Sequence, residues 1–179
     1  GFAETEMAEK AAGAGFTGIL NLEDVPSGRA VQAIEALTGK CGSLGLKLNG
    51  DDDKSVQTAA NALTKGISTV ILSYAEIDSG IVAGHLKLFR AHNVRLVLEV
   101  TSASEALAGE KAGFDIILAK GSESGGNIGE TTSFVLLQGL VSVLKTPVWV
   151  RGGVGLSTIA ACRAGGAKGV LLDSQLYLV

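Results

Sequence analysis

Short apolar runs recur along this chain at a steady interval, separated by longer stretches whose apolar residues return every three or four positions. Runs at residues 17–21, 44–49, 68–73, 94–100, 115–118, 147–151 and 169–173 read as strands, most of them too apolar to leave one face in water. The intervening stretches read as helices: residue 3 to about 13–15, 26 to about 37, 53 to about 65, 81 to 91, 102 to 112, 133 to 144, and 157 to about 164. Ser, Thr and Asp stand at several of the helix starts, where their side chains can accept from free N–H groups. The run Asp51, Asp52, Asp53 is read this way, as a loop that supplies a cap rather than as a metal site. Glycine-containing segments at 14–17, 65–68, 112–115 and 166–169 each lie between a helix and the next strand, as helix C-caps do.

A strand about every 25 residues, each followed by a helix, is the spacing of βαβ units and of a parallel sheet. The expected fold is therefore α/β, a TIM-type (β/α)8 barrel, with an open doubly wound sheet as the alternative. The chain opens on a helix and stops after a strand, so the barrel expected here lacks its first strand and last helix. Two raw strand edges would be a liability. Residues 1–179 are accordingly expected to be a single barrel domain cut from a larger multidomain chain.

The composition agrees. Hydrophobic residues make up 46% of the 179 positions and aromatics only 4%, so the core is aliphatic. No apolar run approaches the roughly 20 residues that span a bilayer, and no signal-peptide pattern is visible. With a net charge of -3 and scattered cations, nucleic acid is not an expected partner. Cys41 and Cys162 are far apart and form no CxxC, which suits a reducing, cytoplasmic setting. His85 and His92 have no Cys or His at ligand spacing, so no metal is expected.

In such barrels the chemistry sits at the carboxyl ends of the strands. Those ends carry Asn21 and Glu23, Lys47 and Asn49, Ser73, Glu99 and Thr101, Lys120 and Glu123, Arg151, and Asp173 with Ser174. Water at strand ends accounts for the serines, but less well for Lys47, Lys120 and Arg151. Two glycine-rich loops follow the fifth and sixth strands. The first contains Gly121, Gly125, Gly126 and Gly129; the second is Gly152–Gly153, just ahead of a helix. Strand, glycine loop and helix N-terminus in that order can hold an anion. Two such loops at one rim point to a phosphate-bearing cofactor.

LAKGSESGGNIGE, followed by TPVWVRGGVGLSTIAACRAGGAKGVLLDSQL, resembles the FMN-binding half of the nitronate monooxygenase family. That family includes the former 2-nitropropane dioxygenases and a flavin-dependent enoyl-acyl carrier protein reductase. The resemblance is good from about residue 113 to 176 and looks closest to domains embedded in type I polyketide or fatty-acid synthases. It implies an FMN-dependent oxidoreductase with a small-molecule substrate. It also implies flanking synthase domains or an acyl carrier protein as partners. By position, Gly125 and Gly126 would meet the flavin phosphate through backbone N–H groups. Gly152 and Gly153 would complete that cradle, with Ser174 on its far side. Lys120 stands where the family has Gln near the flavin ring, and Lys47 where it often has a cofactor-contacting Asn.

Three positions depart from the family pattern. The catalytic His is Asn127, which cannot exchange a proton near neutral pH. The Gly-Thr after the last strand is Asp173-Ser174, which sets a carboxylate beside a phosphate. The Ala before the second glycine pair is Arg151, which could offset that carboxylate. Weak FMN binding is therefore expected. Asn127, Lys120 and Glu123 form the candidate catalytic group, with Glu99 as a further proton mover. Two alternatives stand beside this reading. One is a catalytically degenerate barrel with a structural or docking role in a synthase. The other is an unrelated phosphate-binding barrel enzyme.

Overall fold

The computed structural model describes residues 5–40, 42–63 and 66–173. Its elements alternate without exception: α1 (Thr5–Gly13), β1 (Gly18–Asn21), α2 (Ser27–Leu37), β2 (Leu44–Asn49), α3 (Asp53–Asn61), β3 (Ile67–Ser73), α4 (Ser79–Arg90), β4 (Arg95–Val100), α5 (Ala103–Ala112), β5 (Ile116–Lys120), α6 (Ser133–Val143), β6 (Val148–Arg151), α7 (Leu156–Ala164) and β7 (Gly169–Leu171). Every strand and helix expected from the sequence is present. Two strand ends differ. β5 runs on to Lys120 because its ladder with β6 extends to the pair Lys120↔Arg151. β7 stops at Leu171, opposite Arg151, so Asp173 lies beyond the ladder.

The chain divides into two compact units, Gly1–Leu96 and Val97–Val179, with the boundary inside β4. In the first, β1 pairs with β2 and β2 with β3, all parallel, from Gly18↔Leu44 through Asn49↔Ser73. Leu20, Ile34, Leu37, Leu46, Leu48, Ile71, Leu72 and Phe89 are fully buried there, an aliphatic core with one ring. The aspartate run behaves as a cap: the Asp52 side chain accepts from the Ser55 N–H at 3.1 Å. His85 on α4 is buried, with Nδ1 3.0 Å from the Tyr74 hydroxyl and Nε2 3.0 Å from Asp53.

In the second unit β4, β5, β6 and β7 are neighbours in chain order and parallel. Leu98, Ile117, Leu118 and Leu137 form its core. Ser102 caps α5 by accepting from the Glu105 N–H, and Gly113 ends that helix at φ 95°. Cys162 is buried, which pushes its thiol up; Cys41 lies outside the described residues. Among the described residues no helix is long and apolar enough to cross a membrane. Nor is any group of three or more His, Cys, Asp and Glu side chains placed to hold a metal ion.

Register positions the chemistry. Glu99 stands opposite Leu118, and Lys120, two residues further along β5, stands opposite Arg151. Side chains alternate faces along a strand, so Glu99, Lys120 and Arg151 share one face at the carboxyl ends of three adjacent strands.

Candidate functional site

Those three side chains and Asp173 form a continuous chain of ion pairs. Lys120 Nζ lies 3.2 Å from Glu99 Oε1, and Arg151 Nη1 donates to Glu99 Oε2 at 2.7 Å. Arg151 Nη2 donates to Asp173 Oδ2 at 3.2 Å. Exposure rises from Glu99 outward: 3% for its side chain, 12% for Arg151 and 24% for Asp173. Burial pulls the Arg151 guanidinium down, but the Glu99 charge and the hydrogen bonds to Glu99 and Asp173 outweigh it and hold it above its ordinary value. Two cations face two carboxylates, an arrangement that offsets the cost of taking them out of water. The carboxylate that the sequence sets beside the expected phosphate is thus compensated by Arg151.

The two glycine loops begin beside this chain. The Gly121 N–H donates to the Arg151 carbonyl at 3.1 Å, tying the start of the β5–α6 loop to the end of β6. Gly152 and Gly153 adopt φ 98° and 61°, and Gly126 φ 78°, a region that side chains with a Cβ rarely enter. A Cβ at Gly152 would sit 2.5 Å from Ser124 Oγ, and one at Gly153 would sit 3.5 Å from the Glu123 side chain. One at Gly126 would sit 3.5 Å from Lys120 Nζ. The loops therefore pack on each other through Glu123 and Ser124, the residues just ahead of Gly125 and Gly126. Among the described residues the N–H groups of Gly125 and Gly126 make no hydrogen bond. At the Gly152 contact two donors are buried without a partner, Ser124 Oγ and the Nε of the preceding Arg151. Unpaired buried donors are costly, and at a site they mark where an acceptor belongs.

Other sequence candidates fall elsewhere. Glu123 turns its carboxylate to the N-terminus of α6, accepting from the Ser133 N–H at 3.0 and 3.3 Å. Asn127 is exposed on the loop. Lys47 belongs to the first unit, where it is 4% exposed and pairs with Glu23, whose other oxygen accepts from Ser73 Oγ at 2.7 Å. Ser174 lies outside the described residues. The sequence reading missed Ser124 and the role of Glu99 as the hub of the ion-pair chain. A hydroxyl inside a glycine loop was the available signal for Ser124; the Glu99 contacts depend on strand register. An open groove of about 390 Å³ in this unit is bordered by Thr101, Gly129, Glu130, Val135 and Leu140 rather than by the glycine pairs.

Comparison with known proteins bears on this geometry. "Probable nitronate monooxygenase" of Staphylococcus aureus (strain Newman) is 38% identical over 97 residues, which cover 48% of this chain and 27% of that protein. The matched stretch is thus about a quarter of the relative's length. The solved structure of FabK from Thermotoga maritima superposes with a TM-score of 0.79 at 26% identity, covering 93% of this chain and 52% of that one. A nitroalkane oxidase from Streptomyces ansochromogenes gives a TM-score of 0.80 at 20% identity over 97% of this chain and 62% of that one, a likeness of fold alone. The fold class is accordingly a partial TIM-type (β/α) barrel. The nitronate monooxygenase profile matches residues 56–179, a span that holds both glycine loops and the whole ion-pair chain, and this chain belongs to the nitronate monooxygenase family.

Proposed function

We propose that this chain is the cofactor-binding part of an FMN-dependent oxidoreductase of the nitronate monooxygenase or enoyl reductase type. The observation that carries the reading is the contact between the two glycine loops at Ser124 and Gly152, with free donors gathered around it. The residues present fit a phosphate monoester. Gly125 and Gly126 offer backbone N–H groups, and Gly152 and Gly153 keep their loop clear of side chains. Ser124 Oγ and Arg151 Nε are donors that still need an acceptor. Bound FMN would supply the redox centre.

Around it, the chain's own groups divide the remaining work. Lys120, held by Glu99 and lying against Gly126, places a fixed positive charge beside the cradle. Asn127 can orient a substrate by hydrogen bonding but cannot move its proton. Flavin titration of the full-length protein, followed by absorbance and fluorescence quenching, tests the reading. Saturable binding is expected; none would overturn it.

A second reading follows from Asn127 and from the self-neutralised charges. The domain would then keep the fold while serving as a structural or docking element in a multidomain type I synthase, with flanking domains or an acyl carrier protein as its partners. Nitronate turnover by the FMN-loaded protein would set this reading aside.

A further inference from the structure

Arg151 is the branch point of the ion-pair chain, and its two carboxylate partners are not equivalent. Glu99 is 3% exposed, accepts from Arg151 at 2.7 Å, and is pinned on its other oxygen by Lys120. Asp173 is 24% exposed, pairs at the longer 3.2 Å, and stands two residues beyond the end of β7. The guanidinium has five donors in a rigid fork. Nη1 is committed to Glu99, Nη2 is shared with Asp173, and Nε is buried with no partner. Nε and one Nη form the edge on which Arg takes a phosphate or carboxylate through two parallel bonds. That edge lies in the residue before Gly152, whose loop packs against the equally unpartnered Ser124 hydroxyl.

We infer that Asp173 is an internal counter-anion for Arg151, and that an incoming phosphate monoester displaces it. Without a ligand, Asp173 offsets the Arg151 charge that Glu99, shared with Lys120, leaves over. With a phosphate present, Arg151 turns its fork from Asp173 to the phosphate oxygens while Glu99 keeps the guanidinium plane in place. Asp173 thereby lowers phosphate affinity and sets a threshold for occupancy. The identity of the phosphate carrier as FMN rests on the proposed function; the exchange itself does not.

The test measures affinity of the full-length protein for three probes: inorganic phosphate by calorimetry, and FMN and riboflavin by flavin fluorescence. Asp173→Asn should tighten phosphate and FMN by up to about tenfold, the scale of one largely buried charge pair, and leave riboflavin unchanged. Neutralising the exposed Glu130 by Glu130→Gln should leave the affinity for all three probes unchanged. Adding Arg151→Lys to Asp173→Asn should abolish the gain, because an ammonium has no fork. Phosphate should also raise the melting temperature of Asp173→Asn more than that of the parent. Equal tightening of riboflavin, an equal gain from Glu130→Gln, or no gain from Asp173→Asn would each overturn the exchange. FMN binding to the parent with no gain from Asp173→Asn would sink the exchange and leave the proposed function standing. Tighter phosphate in Asp173→Asn with FMN bound by neither protein would do the reverse.

Discussion

Glu123, in the glycine-rich loop after β5, caps a helix that begins ten residues later. Its carboxylate accepts from the Ser133 N–H at 3.0 Å and from the Ser133 hydroxyl at 3.3 Å. The nominal cap residue of α6, Thr132, makes no side-chain cap bond, so Glu123 takes its place. A negative charge there also complements the helix dipole. The loop is therefore folded back on the helix it precedes. Glu123→Ala should lower unfolding free energy by about 1–2 kcal/mol, the range of a lost N-cap. Chemical denaturation checks this, and an unchanged midpoint would mean that another group serves the helix end.

Gly152 is confined twice, by its φ of 98° and by Ser124 Oγ at 2.5 Å from any added Cβ. Gly152→Ala should cost about 1–3 kcal/mol from backbone strain, with the collision added to it. Ser124→Ala makes the opposite trade. It removes a buried hydroxyl that has no partner, so the free protein should be as stable or slightly more so. In the double variant the collision is relieved while the strain persists, so the two effects should not add. If phosphate or FMN accepts from that hydroxyl, Ser124→Ala should also weaken binding. Thermal melts with and without ligand separate the two effects.

The order of elements was legible because the apolar period switches between strand and helix along the whole chain. The glycine loops were legible because glycine is needed where backbone takes positive φ, as Gly126 and Gly152 do. Partners were not legible. Nothing local distinguishes Glu123 the helix cap from Glu123 the strand-end acid; the choice depends on where the loop folds. His85 gave no sign of being sandwiched between Tyr74 and Asp53, 11 and 32 residues away. Glu99 was visible as a strand-end carboxylate, but its clamping by Lys120 and Arg151 follows from strand register, which a single sequence does not fix.

Glu110 ties the end of α5 to the turn before β6, accepting from the Thr146 N–H at 2.6 Å and the Lys145 N–H at 2.8 Å. The hydrogen bonds from Thr146, first of all, and then those from Lys145 hold its carboxyl below the ordinary 4.5. A depressed folded value means that the unfolded chain binds the proton more readily. The stabilisation is therefore complete above about pH 4.5 and lost as pH falls through the lower folded value. Glu110→Gln should melt below the parent at neutral pH, with the gap closing in acid. A gap that stays constant down to strongly acid pH would show that the charge of Glu110 contributes nothing.

Asn127 decides whether the proposed oxidoreductase turns over. The sequence resemblance sets it where the family carries its catalytic His, and an amide cannot act as a general acid or base near neutral pH. The two carboxylates that could replace that His are already engaged. Glu123 accepts from the α6 N-terminus, and Glu99 is clamped between Lys120 and Arg151. Neither carboxylate is free to swing onto a substrate without breaking these contacts. Nitronate oxidation by the FMN-loaded native protein should therefore be slow. Asn127→His should raise it by about 10²–10⁴-fold, the usual worth of general acid–base catalysis. The exposed loop position should admit the ring without repacking the core. The rise should carry a pH dependence of its own, since the introduced imidazole titrates near neutrality. Native turnover at the rate of His-bearing relatives would show that another group moves the proton. An Asn127→His protein that binds FMN and stays inert would favour the structural or docking reading over the enzymatic one.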